Sequence, residues 1–379
     1  MSAATDYDNA VRAVRQLAPV RRGVLDATEL VRYATLAASS HNTQPWTFRV
    51  RRESIVILPD YSRRCPAVDP DDSHLFKSLG CAAENLVHAA AAQGFSADVQ
   101  FDANEDGVIV RLKRAPAVEA TELFRAITER QCTRREYDGR ALGAAAVEAL
   151  ARAGERPGVR TIMLLSDAEK EMVIGYVTEG NHIQLSDPVF RDELTSWIRF
   201  NSRAALRAGD GLAGRASGRP SLPTWLAKRI IGHVLSPKAQ AETDARQIRS
   251  SAGIAVFVAS QDDKAAWVET GRAYERFALQ ATALGIRNAF INQPIEVPSL
   301  RPKFESWLKL NGEHALLIVR FGRGTPTPFS PRRPLKDVVI CDVSAAPETH
   351  DGMVLPVAAA HVAAHCPAVT AGVAGLRSS

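Results

Sequence analysis

Apolar residues fall at helical spacing through Leu30, Ala34 and Ala37, behind Asp26 and Glu29, an acidic variant of the capping box, so a helix is predicted up to Ser39. Past Ser39 the period shortens to two. Trp46, Phe48 and Val50 alternate as a strand, and residues 55–58 supply its neighbour across the polar turn 51–53. A Pro-punctuated connection over 59–70 follows. Asp71, Asp72 and Ser73 then offer N-caps to a helix with Leu75, Leu79, Ala82, Leu86 and Ala90 on one face. Gly94 ends that helix, and residues 97–101 and 108–112 read as a hairpin across Asn104-Glu105-Asp106-Gly107. Residues 1–22 read as a helical, moderately basic arm.

A second series starts near Glu119: a helix, the run Arg130-Gln131-Cys132-Thr133-Arg134-Arg135, another short helix, a strand over 159–165 and two helices up to about Asn201. Residues 202–247 carry Gly209, Gly211, Gly214, Gly218, Pro220, Pro223 and Pro237 and read as a long irregular insert, the kind that is usually functional or mobile. Beyond it come a buried strand at 254–258 and a helix with Trp267, Gly271, Tyr274, Ala278 and Ala281. Strands at 286–291 and 315–321 follow, and from about Ser344 a weakly patterned Ala/Val tail reads as disordered or as an arm. The order of elements repeats. Residues 85–94 and 276–285 each end a helix with Gly and lead to a strand, so two copies of one α+β unit are expected.

Composition narrows the function classes. At 379 residues, 46% hydrophobic and 23% charged, with no apolar run of membrane-helix length, the chain reads as a soluble globular protein of two domains. The first ten residues lack the basic and apolar regions of a signal peptide, so a cytoplasmic location is expected. Five cysteines without a CxxC pair read as free thiols, and nine histidines form no ligand cluster, so no metal site is expected. The net charge of +5 is spread along the chain without interleaved aromatics, which disfavours nucleic acid. No Gly-x-Gly-x-x-Gly, Walker loop or Gly-x-Ser-x-Gly elbow is present.

Two polar stretches carry candidate chemistry. Ser39-Ser40-His41-Asn42-Thr43-Gln44-Pro45-Trp46 packs hydroxyls and amides into the loop between helix and strand. A helix C-terminus followed by an Asn/Pro turn explains some of them. Their density also suits a flat ligand with alternating donors and acceptors along its edge. Arg130 and Arg134 are spaced to reach one side of a helical or turn segment, and with Thr133 they form a plausible phosphate clamp, the alternative being a solvated charged face. Ser330-Pro331-Arg332-Arg333-Pro334 is a second candidate for that clamp, or a surface turn. Asp69, Asp71 and Asp72 are assigned to helix capping.

These stretches resemble the flavin-dependent nitroreductase superfamily, in particular its Acg-type branch, whose members carry two nitroreductase-like units in one chain. The carriers are 39–46, Arg130-x-x-Thr133-Arg134-Arg135, Phe290-Ile291-Asn292-Gln293-Pro294-Ile295-Glu296 and Arg332-Arg333-Pro334-Leu335, and the resemblance covers about residues 20–340. It implies an α+β fold of two tandem nitroreductase-like units, each an antiparallel or mixed sheet flanked by helices, joined as a pseudo-dimer. The units would be 20–118 and 119–343, with 202–247 as an insert or lid and 344–379 as the tail. The first holds the Asn-Gln-Pro-Trp loop and the second the Arg clamp, while the second reads Glu155-Arg156-Pro157-Gly158-Val159 where its own loop would stand. One composite FMN site is therefore implied.

Residue by residue, the resemblance places Ser39, Ser40 and Asn42 against the flavin and has Gln44 brace the loop. Arg130, Thr133, Arg134 and one of Arg332 and Arg333 would hold the ribityl phosphate, and Asn292 and Gln293 would approach the ring edge near N5. Cys132 departs from the family's Ser, and a thiol is a poorer phosphate donor. The implied activity is transfer of reducing equivalents from NAD(P)H through FMN to a nitroaromatic or quinone-like small-molecule acceptor, with no catalytic side chain required. The rival is an FMN-sequestering or storage protein whose lid excludes nicotinamide, and a third reading is a scaffold without flavin. No membrane partner is expected, and the chain would be a monomeric pseudo-dimer or a homodimer joined through the N-terminal arm.

Overall fold

A computed structural model describes residues 3–18, 20–117, 120–216, 224, 225, 229 and 236–340. The tail from 344 and part of the 202–247 insert lie outside the described residues. In chain order, the helices are α1 (Ala3–Ala13), α2 (Ala27–Thr35), α3 (Ser73–Ala92), α4 (Glu122–Glu129), α5 (Ala144–Ala153), α6 (Asp167–Ser186), α7 (Pro188–Trp197), α8 (Ser202–Ala208), α9 (Pro237–Arg249), α10 (Lys264–Ala283), α11 (Gln293–Glu296) and α12 (Arg301–Trp307). The strands are β1 (Trp46–Val50), β2 (Ser54–Pro59), β3 (Phe95–Asp102), β4 (Gly107–Arg114), β5 (Val159–Leu164), β6 (Ile198–Arg199), β7 (Leu212–Ala213), β8 (Gly253–Ala259), β9 (Arg287–Phe290), β10 (His314–Gly322) and β11 (Val339–Ile340).

The molecule is an α+β fold with two main sheets. The first has the order β11-β1-β2-β4-β3 and the second β5-β8-β10-β9, while β6 and β7 form a separate parallel pair. Sequence pattern separates the two sheets. In β3, Ala97, Val99 and Phe101 turn inward while Ser96, Asp98 and Gln100 are exposed, the alternation of a sheet with one wet face. β8 is buried at all seven positions. Its Ala255, Phe257 and Ala259 pack towards α10, and its Ile254, Val256 and Val258 pack beneath residues of α6, α9 and α12.

Helices α3 and α10 cross between the sheets. All of α3 except Val87 and Ala91 is buried, so its polar residues are withdrawn from the molecular surface. The crossing is held close by two glycines. A methyl group on Gly80 would overlap the Val268 carbonyl, and one on Gly271 would overlap the Lys77 carbonyl. The contact is reciprocal: 77 and 268, 80 and 271, and 84 and 275 are each 191 positions apart. Gly94 and Gly285, at the same spacing, both take positive φ (84° and 68°) behind their helices.

Three expectations change. Residues 236–249 are not irregular. Ser236 caps α9 through the Ala239 N–H, and Pro237 stands at its first turn, where a missing donor costs nothing. Residues 130–135 are extended rather than helical, with Cys132 bridged in parallel to Asn288 and the Thr133 N–H donating to the Asn288 carbonyl at 2.9 Å. The capping of α3 narrows to two of the three aspartates: Asp69 accepts from the N–H groups of His74 and Leu75 and Asp71 from that of Ser73 at 3.2 Å, while Asp72 sits at φ 64° without a side-chain cap bond. In addition, β11 pairs in parallel with β1, so residues near 340 belong to the first sheet although they follow the second in sequence.

Candidate functional site

The loop after α2 is wound against its preference. His41, Asn42 and Gln44 all have positive φ (47°, 55° and 53°), a conformation that only Asn among them adopts readily. Side-chain bonds hold it there. Asn42 Nδ2 donates to the carbonyls of Gly211 and Pro331 (both 3.2 Å), and its Oδ1 accepts from Arg332 Nη1 at 3.0 Å. Gln44 is fully buried; its Nε2 donates to the Gly209 carbonyl at 2.9 Å and its Oε1 accepts from the Arg333 N–H at 2.8 Å. The carbonyl of Leu36, the C-cap of α2, accepts from both Arg130 and Arg332 (2.9 and 3.0 Å), and that of Tyr33 in the last turn accepts from Asn85 Nδ2 at 3.1 Å.

Beside this loop lies a cavity of about 830 Å³, within the range of a cofactor site. Ser39, Ser40 and His41 form one wall, Phe290, Asn292 and Gln293 another, and Ile198, Phe200 and Leu212 cover it. Arg134 reaches into it, and no partner for its guanidinium is present among the described residues. Gln293 Nε2 donates to Asn181 at 3.2 Å, while its buried Oε1 has no partner. Asn292 Oδ1 accepts from the Ile318 N–H at 2.9 Å.

At the Arg134 end a smaller cavity of about 50 Å³ adjoins, lined by Arg15, Asn42, Arg130, Cys132, Arg134 and Arg332 among others. Among the described residues, Arg130 alone of these guanidiniums has a carboxylate, Glu275, at 2.8 Å in a pair almost free of solvent. Burial works against the Arg130 charge, and Glu275 outweighs it, leaving the group above its usual range. Arg332 has no such partner; burial and the charge of Arg130 bring it down to about 9.

The opposite wall carries a different cluster. Burial brings Lys77 down to about 8, and its Nζ finds Ser73 Oγ at 3.2 Å. Burial raises Glu296 to about 7 although Gln184 donates to it at 2.9 Å, and His74 Nε2 stands 3.8 Å from its carboxylate. His41 is brought down to about 4 by burial and then by Arg134.

Of the predicted residues, Ser39, Ser40, Arg134, Asn292 and Gln293 line the larger cavity, and Ser39, Asn42, Arg130, Arg134 and Arg332 line the smaller. Thr133 lines neither. Arg130, Gln131, Cys132 and Arg134 all line the smaller cavity, while Thr133 is fully buried, its N–H donating to the Asn288 carbonyl and its Oγ1 3.3 Å from Gln131 Oε1. Gln44 also lines neither cavity. Arg333 turns away to the Gln44 carbonyl (2.8 Å), the Trp46 carbonyl and Asp60. Sequence reasoning missed Arg15, His74, Lys77 and Glu296. The signal for His74 and Lys77 was a lone polar stripe on a helix too apolar to own a solvated face.

No protein-family model matches the chain. Two Mycobacterium tuberculosis proteins, each named "Putative NAD(P)H nitroreductase", are similar to it, at 27% identity over 317 residues, covering 81% of this chain and 88% of the relative. Among solved structures, the FMN-dependent nitroreductase NfnB from Mycobacterium smegmatis in complex with NADPH aligns at a TM-score of 0.37 and 14% identity, over 57% of this chain and 96% of its own. A nitroreductase with bound FMN from Desulfitobacterium hafniense DCB-2 aligns at a TM-score of 0.36 and 16% identity, over the same shares.

Proposed function

We propose that this chain is an FMN-dependent NAD(P)H oxidoreductase of the nitroreductase superfamily, built as a pseudo-dimer of two units, 20–118 and 119–343, with one composite site. The observation that carries this reading is the long cavity with an unbalanced guanidinium cluster at one end and amide and hydroxyl groups along its length. The reciprocal glycine crossing supports two related units, and the similarity to the two mycobacterial relatives supports the reaction class.

The residues fit the cofactor. Buried Arg15 Nε, Arg332 Nε and Gln293 Oε1 lack partners, so the chain holds donors for an anion in the smaller cavity and an acceptor for a ring N–H in the larger one beside it. When bound, FMN supplies a two-electron relay between a nicotinamide and a nitroaromatic or quinone-like acceptor. Arg130, Arg134 and Arg332 hold the phosphate, while Ser39, Ser40, Asn292 and Gln293 orient the ring edge. Phe200, Ile198 and Leu212 keep water out. Glu296, with its affinity near neutrality, holds a proton at the far wall and releases it as pH rises.

Residues 198–214 act as the lid of this site in the proposal. They are pinned by the ion pairs of Arg63 and Arg199 with Asp210, and by the Asn42 bonds to Gly211. That anchoring favours the second reading, flavin sequestration with little turnover. The purified protein is expected to be yellow, and anaerobic mixing with NADPH or NADH separates the two. Bleaching of the flavin band within seconds is the expected result. Colour that only dithionite removes would establish sequestration, and protein that stays colourless after FMN is supplied would end both.

A further inference from the structure

Arg15 lies on the segment that follows α1, ahead of every other residue of the site in sequence, yet it is only 5% exposed. Its Nη1 donates to the carbonyls of Thr128 (3.0 Å) and Arg130 (3.1 Å), its guanidinium stacks 4.3 Å from the Phe329 ring centroid, and its Nε is buried without a partner. No carboxylate lies within ion-pair distance among the described residues. Glu275 is taken by Arg130, and Glu129 stands on the exposed side of α4. Burying an arginine without a counter-charge is costly, and burying it beside two others more so. Burial, then Arg332 and Arg130, accordingly push its affinity for a proton well down. Together these features describe a donor set waiting for an anion.

The segment is fastened over that anion end. Tyr7 donates to the Phe329 carbonyl at 2.7 Å, Asp8 pairs with Arg215 at 2.5 Å, and Tyr7 and Val11 pack with Ala205, Ala213 and Ala216. The arm thus touches both the covering segment and the irregular stretch that leads to Arg332.

We infer that Arg15 is a ligand for a phosphomonoester dianion in the smaller cavity, and that residues 3–18 close the phosphate end of the site. This rests on the flavin reading above, and the ligand is the phosphate of FMN. The cavity's 50 Å³ admits a few oxygen-sized groups but no ring, so the phosphoryl group enters and the isoalloxazine stays in the larger space.

The test compares FMN with riboflavin, which lacks only the phosphate, by titrating flavin-stripped full-length protein. The parent is expected to prefer FMN. Arg15→Gln, which keeps a donor for the two carbonyls, is expected to lose about tenfold to a hundredfold in FMN affinity with riboflavin affinity unchanged. Inorganic phosphate should compete with FMN less well on the variant. If the parent prefers FMN and Arg15→Gln retains the same preference, the inference falls and the flavin reading stands. If the parent binds neither flavin, both fall. Tyr7→Phe leaves every guanidinium in place and loosens the arm, so it covers the case in which Arg15→Gln does not fold. Faster release of FMN but not of riboflavin is expected, and unchanged release of both would overturn the arm's part.

Discussion

Glu84 and Glu275 occupy corresponding positions on the crossing helices α3 and α10, and they meet opposite surroundings. Glu84 is bonded by Arg272 at 3.1 Å and lies 3.3 Å from His88; Arg272 also bonds Glu269 at 2.7 Å, which in turn holds Arg156 at 3.1 Å. Two guanidiniums face two carboxylates, and Arg156 comes from the turn that leads into β5. Glu275 has Arg130 at 2.8 Å, while Arg15, Arg134 and Arg332 crowd nearby without an ion pair among the described residues. A balanced cluster closes on itself and becomes a joint. An unbalanced one keeps an excess that only something from outside can neutralise. At two positions that correspond across the helix crossing, charge balance thus separates a closed seam from the proposed binding site.

The strongest way to break this comparison is to strand each carboxylate in turn. Arg130→Met and Arg272→Met should each cost about 3–5 kcal/mol in urea unfolding, because each leaves a buried carboxylate uncompensated. Only Arg130→Met should also release flavin; loss of flavin in Arg272→Met with retention in Arg130→Met would reverse the assignment.

Next in size is the pair Arg134→Ala and Arg156→Ala. Removing one charge-assisted contact to phosphate is worth about 1.5–3 kcal/mol, so FMN affinity should fall about tenfold to a hundredfold in the first and not at all in the second. Unchanged FMN retention in Arg134→Ala would remove it from the clamp. Gly80→Ala and Gly271→Ala sharpen the symmetry itself. Each drives a methyl into a facing carbonyl, and losses of about 1–3 kcal/mol are expected. Denaturation midpoints that differ widely between the two would show that the crossing is not reciprocal in energy.

The smallest effect is in pH. Burial works against the charge of Glu84, but His88 and Arg272 outweigh it and hold it near 2, so its stabilisation is present above the ordinary carboxyl value and is lost as pH falls. Glu296 does the reverse. Raised to about 7, it keeps a proton the unfolded chain has released, so stability declines as pH rises from the ordinary value through 7 and then levels. Urea midpoints from about pH 4 to about pH 8 should lose that decline in Glu296→Gln.

Much of this was legible in the sequence where the physics is local. The periods of 3.6 and 2 located α2, α3, β1 and β2 and the β3–β4 hairpin, and the density of hydroxyls and amides singled out 39–46. What failed was non-local. Pro237 looked like an interruption because the Ser236 cap before it went unweighed. The Arg130–Arg134 spacing was read as one side of a helical or turn segment, whereas Cys132 bridges in parallel to Asn288, more than 150 positions away. Arg15 shows nothing in its own neighbourhood, since what defines it is Phe329 and Arg332.

The return of the chain through Arg332 to β11 also orders events in time. The parallel pairing of Phe48 with Val339 joins positions near opposite ends of the described chain. A polypeptide emerging from the ribosome therefore displays the 39–46 loop long before the guanidinium that locks Asn42 exists. The 39–46 loop is thus locked only after synthesis, and an unfinished chain presents an unpinned loop and a bare sheet edge along β1.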